Sequence, residues 1–178
     1  QACERLAAGS LPRRAAVITF DDGYRDNHDV ALPLLREHGM QAAFFVATGF
    51  LNGGIMFNDR VIEAVRGAGG ASLDAGWLGL GTLDLGDVER RRAALGRLLG
   101  AVKPLQPTQR DDAVARIEDA CGGDARRDLM MDDAQVRALH AAGMEIGGHT
   151  RTHPILRVLD DAAAQAEILA GADDLCAI

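Results

Sequence analysis

Ala15-Ala16-Val17-Ile18-Thr19-Phe20-Asp21-Asp22-Gly23 is a short apolar run that stops at two adjacent carboxylates and a glycine. A run of this length, closed by a turn signal, predicts a buried strand with Asp21 and Asp22 at its C-terminal end. Beyond it, Asp26 or Asn27 is placed to cap a helix that runs to about His38 and stops at Gly39. Pro33 falls inside that helix and should kink it or confine it to two turns. Ala42-Ala43-Phe44-Phe45-Val46-Ala47 is a second buried strand. Strand, helix and strand at this spacing imply a parallel βαβ unit.

Further along, Asn52-Gly53-Gly54 reads as a turn, and Asp59 to Ala68 as a helix with Val61, Ile62 and Val65 on one face. Ala68 to Gly86 is Gly-rich and poorly periodic, which predicts a loop. Asp87 to Val102 and Asp111 to Ala120 predict two more helices, the second closed by Gly122-Gly123, so that residues 69–127 form a mostly helical insertion. Asp132 or Asp133 opens a helix ending at Gly143, and Met144-Glu145-Ile146-Gly147 is then a third parallel strand that delivers His149 at its end. Leu159 to Leu175 predicts a last, Ala-rich helix. The expected fold is α/β, a partial or distorted (β/α) barrel with parallel strands and a helical insertion, in a single domain spanning 1–178.

The bulk numbers narrow the function. A chain of 178 residues with 48% hydrophobic and 25% charged residues is ordinary globular material. A net charge of -7 argues against a nucleic-acid partner, which needs a basic face to neutralise phosphates. No apolar run approaches the roughly 20 residues of a membrane span, and no secretory signal is visible after Gln1. Cys3, Cys121 and Cys176 are too widely spaced for a disulfide framework or a cysteine zinc site, and read as reduced thiols packed as small hydrophobes. The serines, Ser10 and Ser72, lie in no nucleophile elbow, and no phosphate loop or dinucleotide fingerprint is present. Trp and Tyr occur once each, so few rings are available to stack on a sugar.

Two segments carry the chemistry. In parallel α/β folds, ligands gather at the C-terminal ends of the strands. Asp21 and Asp22 end the first strand, and His149 ends the third. His149 and His153 are four residues apart, on one side of a helical turn or a tight loop. Two imidazoles and a carboxylate are a ligand set for zinc or iron that leaves positions open for water and substrate. An adjacent second carboxylate can serve as general base. Asp-Asp-Gly by itself is a common turn, and two histidines at this spacing are by themselves ordinary surface residues. Their joint placement at strand ends is what points to a site. His28, His38 and His140 are accounted for by helix positions, the last two near C-termini that favour positive charge.

On these residues the chain resembles the polysaccharide deacetylase family, carbohydrate esterase family four. Thr19-Phe20-Asp21-Asp22-Gly23-Tyr24 is similar to its first motif and His149-Thr150-Arg151-Thr152-His153-Pro154 to its second. The likeness extends over residues 15–58 and 131–156. It implies Asp21 as catalytic base and Asp22, His149 and His153 as ligands of a divalent metal. Zinc is expected first, with cobalt, nickel or iron also suited to these donors. Thr150 and Thr152 would buttress the second motif through local hydrogen bonds. The implied reaction is hydrolysis of an N- or O-linked acetyl group on a saccharide, or of a small acetate ester.

The family continues into further barrel strands that bring an arginine, a tyrosine amide and a late histidine, none of which lies in this sequence. The chain is therefore expected to be a fragment, an inactive relic or a short functional form. A short form would leave a sheet edge open and is expected to self-associate as a homo-oligomer. The rival reading is a catalytically silent metal- or sugar-binding remnant, in which Asp21 would have no task.

Overall fold

The computed structural model describes residues 2–122, 126 and 128–178. The chain divides into two compact units, one of Gln1–Asn52, Met131–His153 and Gln165–Ile178, the other of Gly53–Met130 and Pro154–Ala164.

The first unit is built on three parallel strands in the order β1 (Thr19–Phe20), β2 (Ala43–Val46), β5 (Glu145–Gly148). Phe44 lies opposite both Phe20 and Ile146, so the central strand is shared between its neighbours. Phe44 and Val46 are fully buried, as expected for a strand covered on both faces. Phe20 and Phe44 stack with centroids 4.8 Å apart. Around them pack Leu32 and Leu35 from α2 (Leu32–Glu37) and Val136 and Leu139 from α6 (Asp133–Ala141), with Met131 and Met144. The parallel α/β arrangement expected from the sequence is the one observed, with strands shorter than the apolar runs that announce them.

The helix after the first motif differs from expectation in its start. Asp26 already has helical angles (φ -65°, ψ -18°) and makes no capping bond, so neither it nor Asn27 serves as the cap. Residues Asn27–Ala31 instead form a wide π turn, in which the Leu32 N–H reaches back to the Asn27 carbonyl. Pro33 explains the widening: it has no N–H to continue a regular ladder, and it sits in the first turn of α2, where none is needed. Gly39 ends α2 as predicted, at φ +62° with the Met40 N–H bonded to Leu35 O. At α6, Asp132 and Gln135 form a reciprocal capping box.

The second unit contains α3 (Phe57–Gly67), α4 (Val88–Val102) and α5 (Pro107–Cys121). Residues 68–86 are not a plain loop. They hold an antiparallel pair, β3 (Ser72–Asp74) and β4 (Thr82–Asp84), with Leu73 opposite Leu83. Three-residue strands, each with a single buried leucine, are too short for their alternation to register as a period. Val61, Val65, Leu98, Val102, Val114 and Ile117 form this unit's core. Arg91 bonds the carbonyls of Val65, Arg66 and Ala68, closing the C-terminal end of α3. The helical insertion expected over 69–127 is thus α4 and α5 plus a small sheet, and residues 123–125 and 127 lie outside the described residues.

Of the thiols, Cys121 alone is packed as a small hydrophobe; Cys3 and Cys176 are exposed. No helix among the described residues is long and apolar enough to cross a membrane.

Candidate active site

The two motif loops meet at the C-terminal end of the parallel sheet. The Ala47 N–H bonds the Asp22 carbonyl and the His149 N–H bonds the Val46 carbonyl, so both loops are tied to the end of β2. Asp22 has φ +75°, a left-handed backbone that aspartate tolerates better than most residues. Gly23 follows at φ +93°, and a Cβ there would come within 2.9 Å of Val46 Cγ1. The Asp-Asp-Gly order therefore has a steric reason: only glycine turns this tightly against β2.

On the other side, β5 ends at Gly148 and the chain makes a compact loop. Thr150 (φ +63°) and His153 (φ +51°) are again left-handed. Thr150 Oγ1 donates to the His149 carbonyl and accepts from the His153 N–H at 3.1 Å, bridging the two histidines locally. Thr152 does not bond locally: its hydroxyl donates to Glu167 Oε1 at 2.7 Å.

This backbone brings three donors together. Asp22 Oδ1 lies 3.5 Å from His149 Nε2 and 3.4 Å from His153 Nε2, and the three ligand atoms are all within 4.8 Å of one another. The imidazole centroids are 4.9 Å apart at 39°. Tetrahedral bonds of about 2.0–2.1 Å place neighbouring ligand atoms about 3.3 Å apart, so the spacing suits one small divalent ion. The side chains are 25–36% exposed, leaving one side open to solvent. Asp21 is exposed beside Asp22 and outside the triad.

His28 is engaged structurally. Its Nδ1 is 2.8 Å from Asp29 Oδ1, which also accepts from Gln135 Nε2 at 3.0 Å. The bond from His28 holds the Asp29 carboxyl below its ordinary range. Phe57 and Trp77 have guanidinium groups 4.4 Å over their rings, from Arg110 and Arg116 respectively.

Sequence reasoning missed the residues that hold the second motif. Glu167 and Asp174 of α7 (Asp161–Ala177) bond the Arg151–Thr152 tip, and Gly171 lets the helix approach it. The available signal was their spacing at i, i+4 and i+7 on one face of an Ala-rich helix.

Residues 8–73 match the family model described as polysaccharide deacetylase. That span includes the Thr19–Tyr24 motif and ends well before His149. A 33-residue segment is 48% identical to YxkH of Bacillus subtilis (strain 168), provisionally described as a polysaccharide deacetylase. It covers 18% of this chain and 12% of that protein. The structure has a distant likeness, TM-score 0.47 and 16% identity, to the deacetylase domain of BpsB from Bordetella bronchiseptica. The alignment covers 97% of this chain and 55% of that one. The sequence match that contains the Asp21-Asp22-Gly23 turn therefore likens the N-terminal part of this chain to polysaccharide deacetylases.

Proposed function

We propose that this chain carries the metal centre of a metal-dependent hydrolase that removes acetyl groups. The substrate would be an N- or O-acetylated carbohydrate, or a simple or aryl acetate ester. The observation that carries this reading is the convergence of Asp22, His149 and His153 within 4.8 Å, from segments about 130 residues apart in sequence.

In this reading Asp22, His149 and His153 hold one divalent ion, zinc first among the candidates, through one carboxylate oxygen and two imidazole nitrogens. When bound, the ion supplies Lewis-acid chemistry to the acyl group and to water. Asp21, exposed at the rim and next to a ligand, takes a proton from the attacking water as general base. Its side chain is free of the triad, and that separation lets two neighbouring carboxylates divide the work. Thr150 keeps the two imidazoles at a fixed separation through its hydroxyl. The edge of β1, with Val17, Val30 and Leu34 exposed nearby, supports self-association of the isolated chain; light scattering reads this directly.

Hydrolysis of an aryl acetate tests the reading, because its leaving group departs without protonation and the assay needs no general acid. The rate should vanish on chelation, return with zinc and be lost in Asp21→Ala. Zinc binding without any hydrolysis would favour the silent binding remnant. Hydrolysis indifferent to chelator would sink the metal mechanism.

A further inference from the structure

We infer that Glu167 is a positioning residue of the candidate metal centre, setting its metal affinity by clamping the loop between His149 and His153. The inference rests on the metal site proposed above. The loop carries two left-handed non-glycine residues, Thr150 and His153, and one of them is β-branched. Such a backbone persists only where its surroundings over-determine it. The Thr150 hydroxyl braces the base of the loop, but the tip, Arg151-Thr152, presents two successive N–H groups outward.

Glu167 meets them. Its Oε2 accepts from the Arg151 N–H at 3.1 Å and from the Thr152 N–H at 2.8 Å, while Oε1 accepts from the Thr152 hydroxyl at 2.7 Å. Both oxygens are thus engaged by the loop, so Glu167 acts on the ligands through their backbone. One turn on, Gly171 is buried, and a Cβ there would lie 2.9 Å from the Thr150 carbonyl carbon. Asp174 completes the face: its Oδ2 accepts from Arg151 Nε at 3.1 Å and from the Thr48 hydroxyl at 2.7 Å. A carboxylate, a glycine and a carboxylate at i, i+4 and i+7 form a ledge on which the loop rests. A ligand loop so held has its two imidazoles placed before any ion arrives.

The test uses the purified chain stripped of metal, as wild type, Asp22→Ala, Glu167→Ala, Glu167→Asp and Glu167→Gln. Zinc affinity is measured by calorimetry, and tryptic cleavage of the Arg151–Thr152 bond is followed without metal. Glu167→Ala should bind zinc about 10- to 100-fold more weakly and be cleaved about tenfold faster. Glu167→Asp keeps the charge but is one methylene too short, and should resemble Glu167→Ala. Glu167→Gln keeps a carbonyl for the two N–H groups and should recover most of the affinity. Equal zinc affinity in wild type and Glu167→Ala, with Asp22→Ala weakened, overturns this inference and leaves the metal site standing. Normal affinity in Glu167→Asp with loss in Glu167→Gln would make the effect one of charge, and also overturns it. A wild type that binds no zinc defeats the metal site itself, and the claim about affinity with it. Should Glu167→Ala fail to fold, the Asp and Gln pair alone decides.

Discussion

The two units handle turns in opposite ways. Every non-glycine residue with a left-handed backbone among the described residues lies in the first unit: Arg14, Asp22, Asn52, Thr150 and His153. In the second unit the left-handed positions, Gly53, Gly79, Gly81 and Gly122, are all glycines. Its polar contacts are also conventional: Arg91 caps a helix end, and Arg60 pairs with Glu118. Three of the five strained residues of the first unit are the candidate ligands Asp22 and His153 and the threonine between the histidines. The second unit is arranged for stability, whereas the first accepts backbone cost where side chains must converge.

This contrast can be broken experimentally. The largest effect is expected in His149→Ala, which removes one of three ligands. Zinc affinity should fall by more than about 1,000-fold, beyond the 10–100-fold typical of residues that only orient ligands, while the metal-free melting temperature barely moves. A fall no larger than that of Glu167→Ala would mean that His149 is not a ligand. Next, Leu98→Ala empties a fully buried position in the second unit and should cost about 2–5 kcal/mol in denaturant unfolding. Zinc affinity of the protein that remains folded should be unchanged, and a change would dissolve the distinction between the units.

A smaller and more telling effect is expected in Asp22→Gly. Glycine adopts φ +75° freely, so the metal-free protein should be as stable as wild type or more stable, by up to about 1 kcal/mol, although zinc binding is lost. A clear destabilisation would show that Asp22 is held for folding. The least effect concerns the thiols. Burial raises the Cys121 pKa, so at mildly alkaline pH it forms less thiolate than an exposed cysteine. A disulfide reagent should therefore titrate Cys3 and Cys176 quickly and Cys121 slowly. Equal reactivity of all three would show that the core around α5 opens readily.

Much of this was legible in the residues themselves. The apolar run over residues 42–47 announced the central strand because a strand buried on both faces needs a continuous apolar stretch, whereas the strands ending at Asp21 and before His149, read as buried, are only partly covered. Gly39 and Asp132 marked helix ends because backbone angle and capping are local properties. His149, His153 and the Asp21-Asp22 pair stood out by residue type and by their position at strand ends, and the resemblance to polysaccharide deacetylases is what named Asp22 as the ligand and Asp21 as the base.

What remained hidden depended on distant partners. Asp26 looked like a helix cap, but its backbone is already helical and a π turn follows it. Leu73 and Leu83 paired across a hairpin too short to leave a period. Glu167, Gly171 and Asp174 share one face of an Ala-rich helix, a spacing that marks a common face without naming the loop it meets. The sequence by itself determined which residues have the chemistry to hold an ion and which strand ends carry them, since donor type and hydrophobic period are written in the residues. Only the tertiary structure decided that Asp22 Oδ1 stands 3.4–3.5 Å from an imidazole nitrogen of each histidine and that a helix beyond the motif braces their loop. Those facts arise from the approach of segments remote in the chain, and no local pattern encodes that approach.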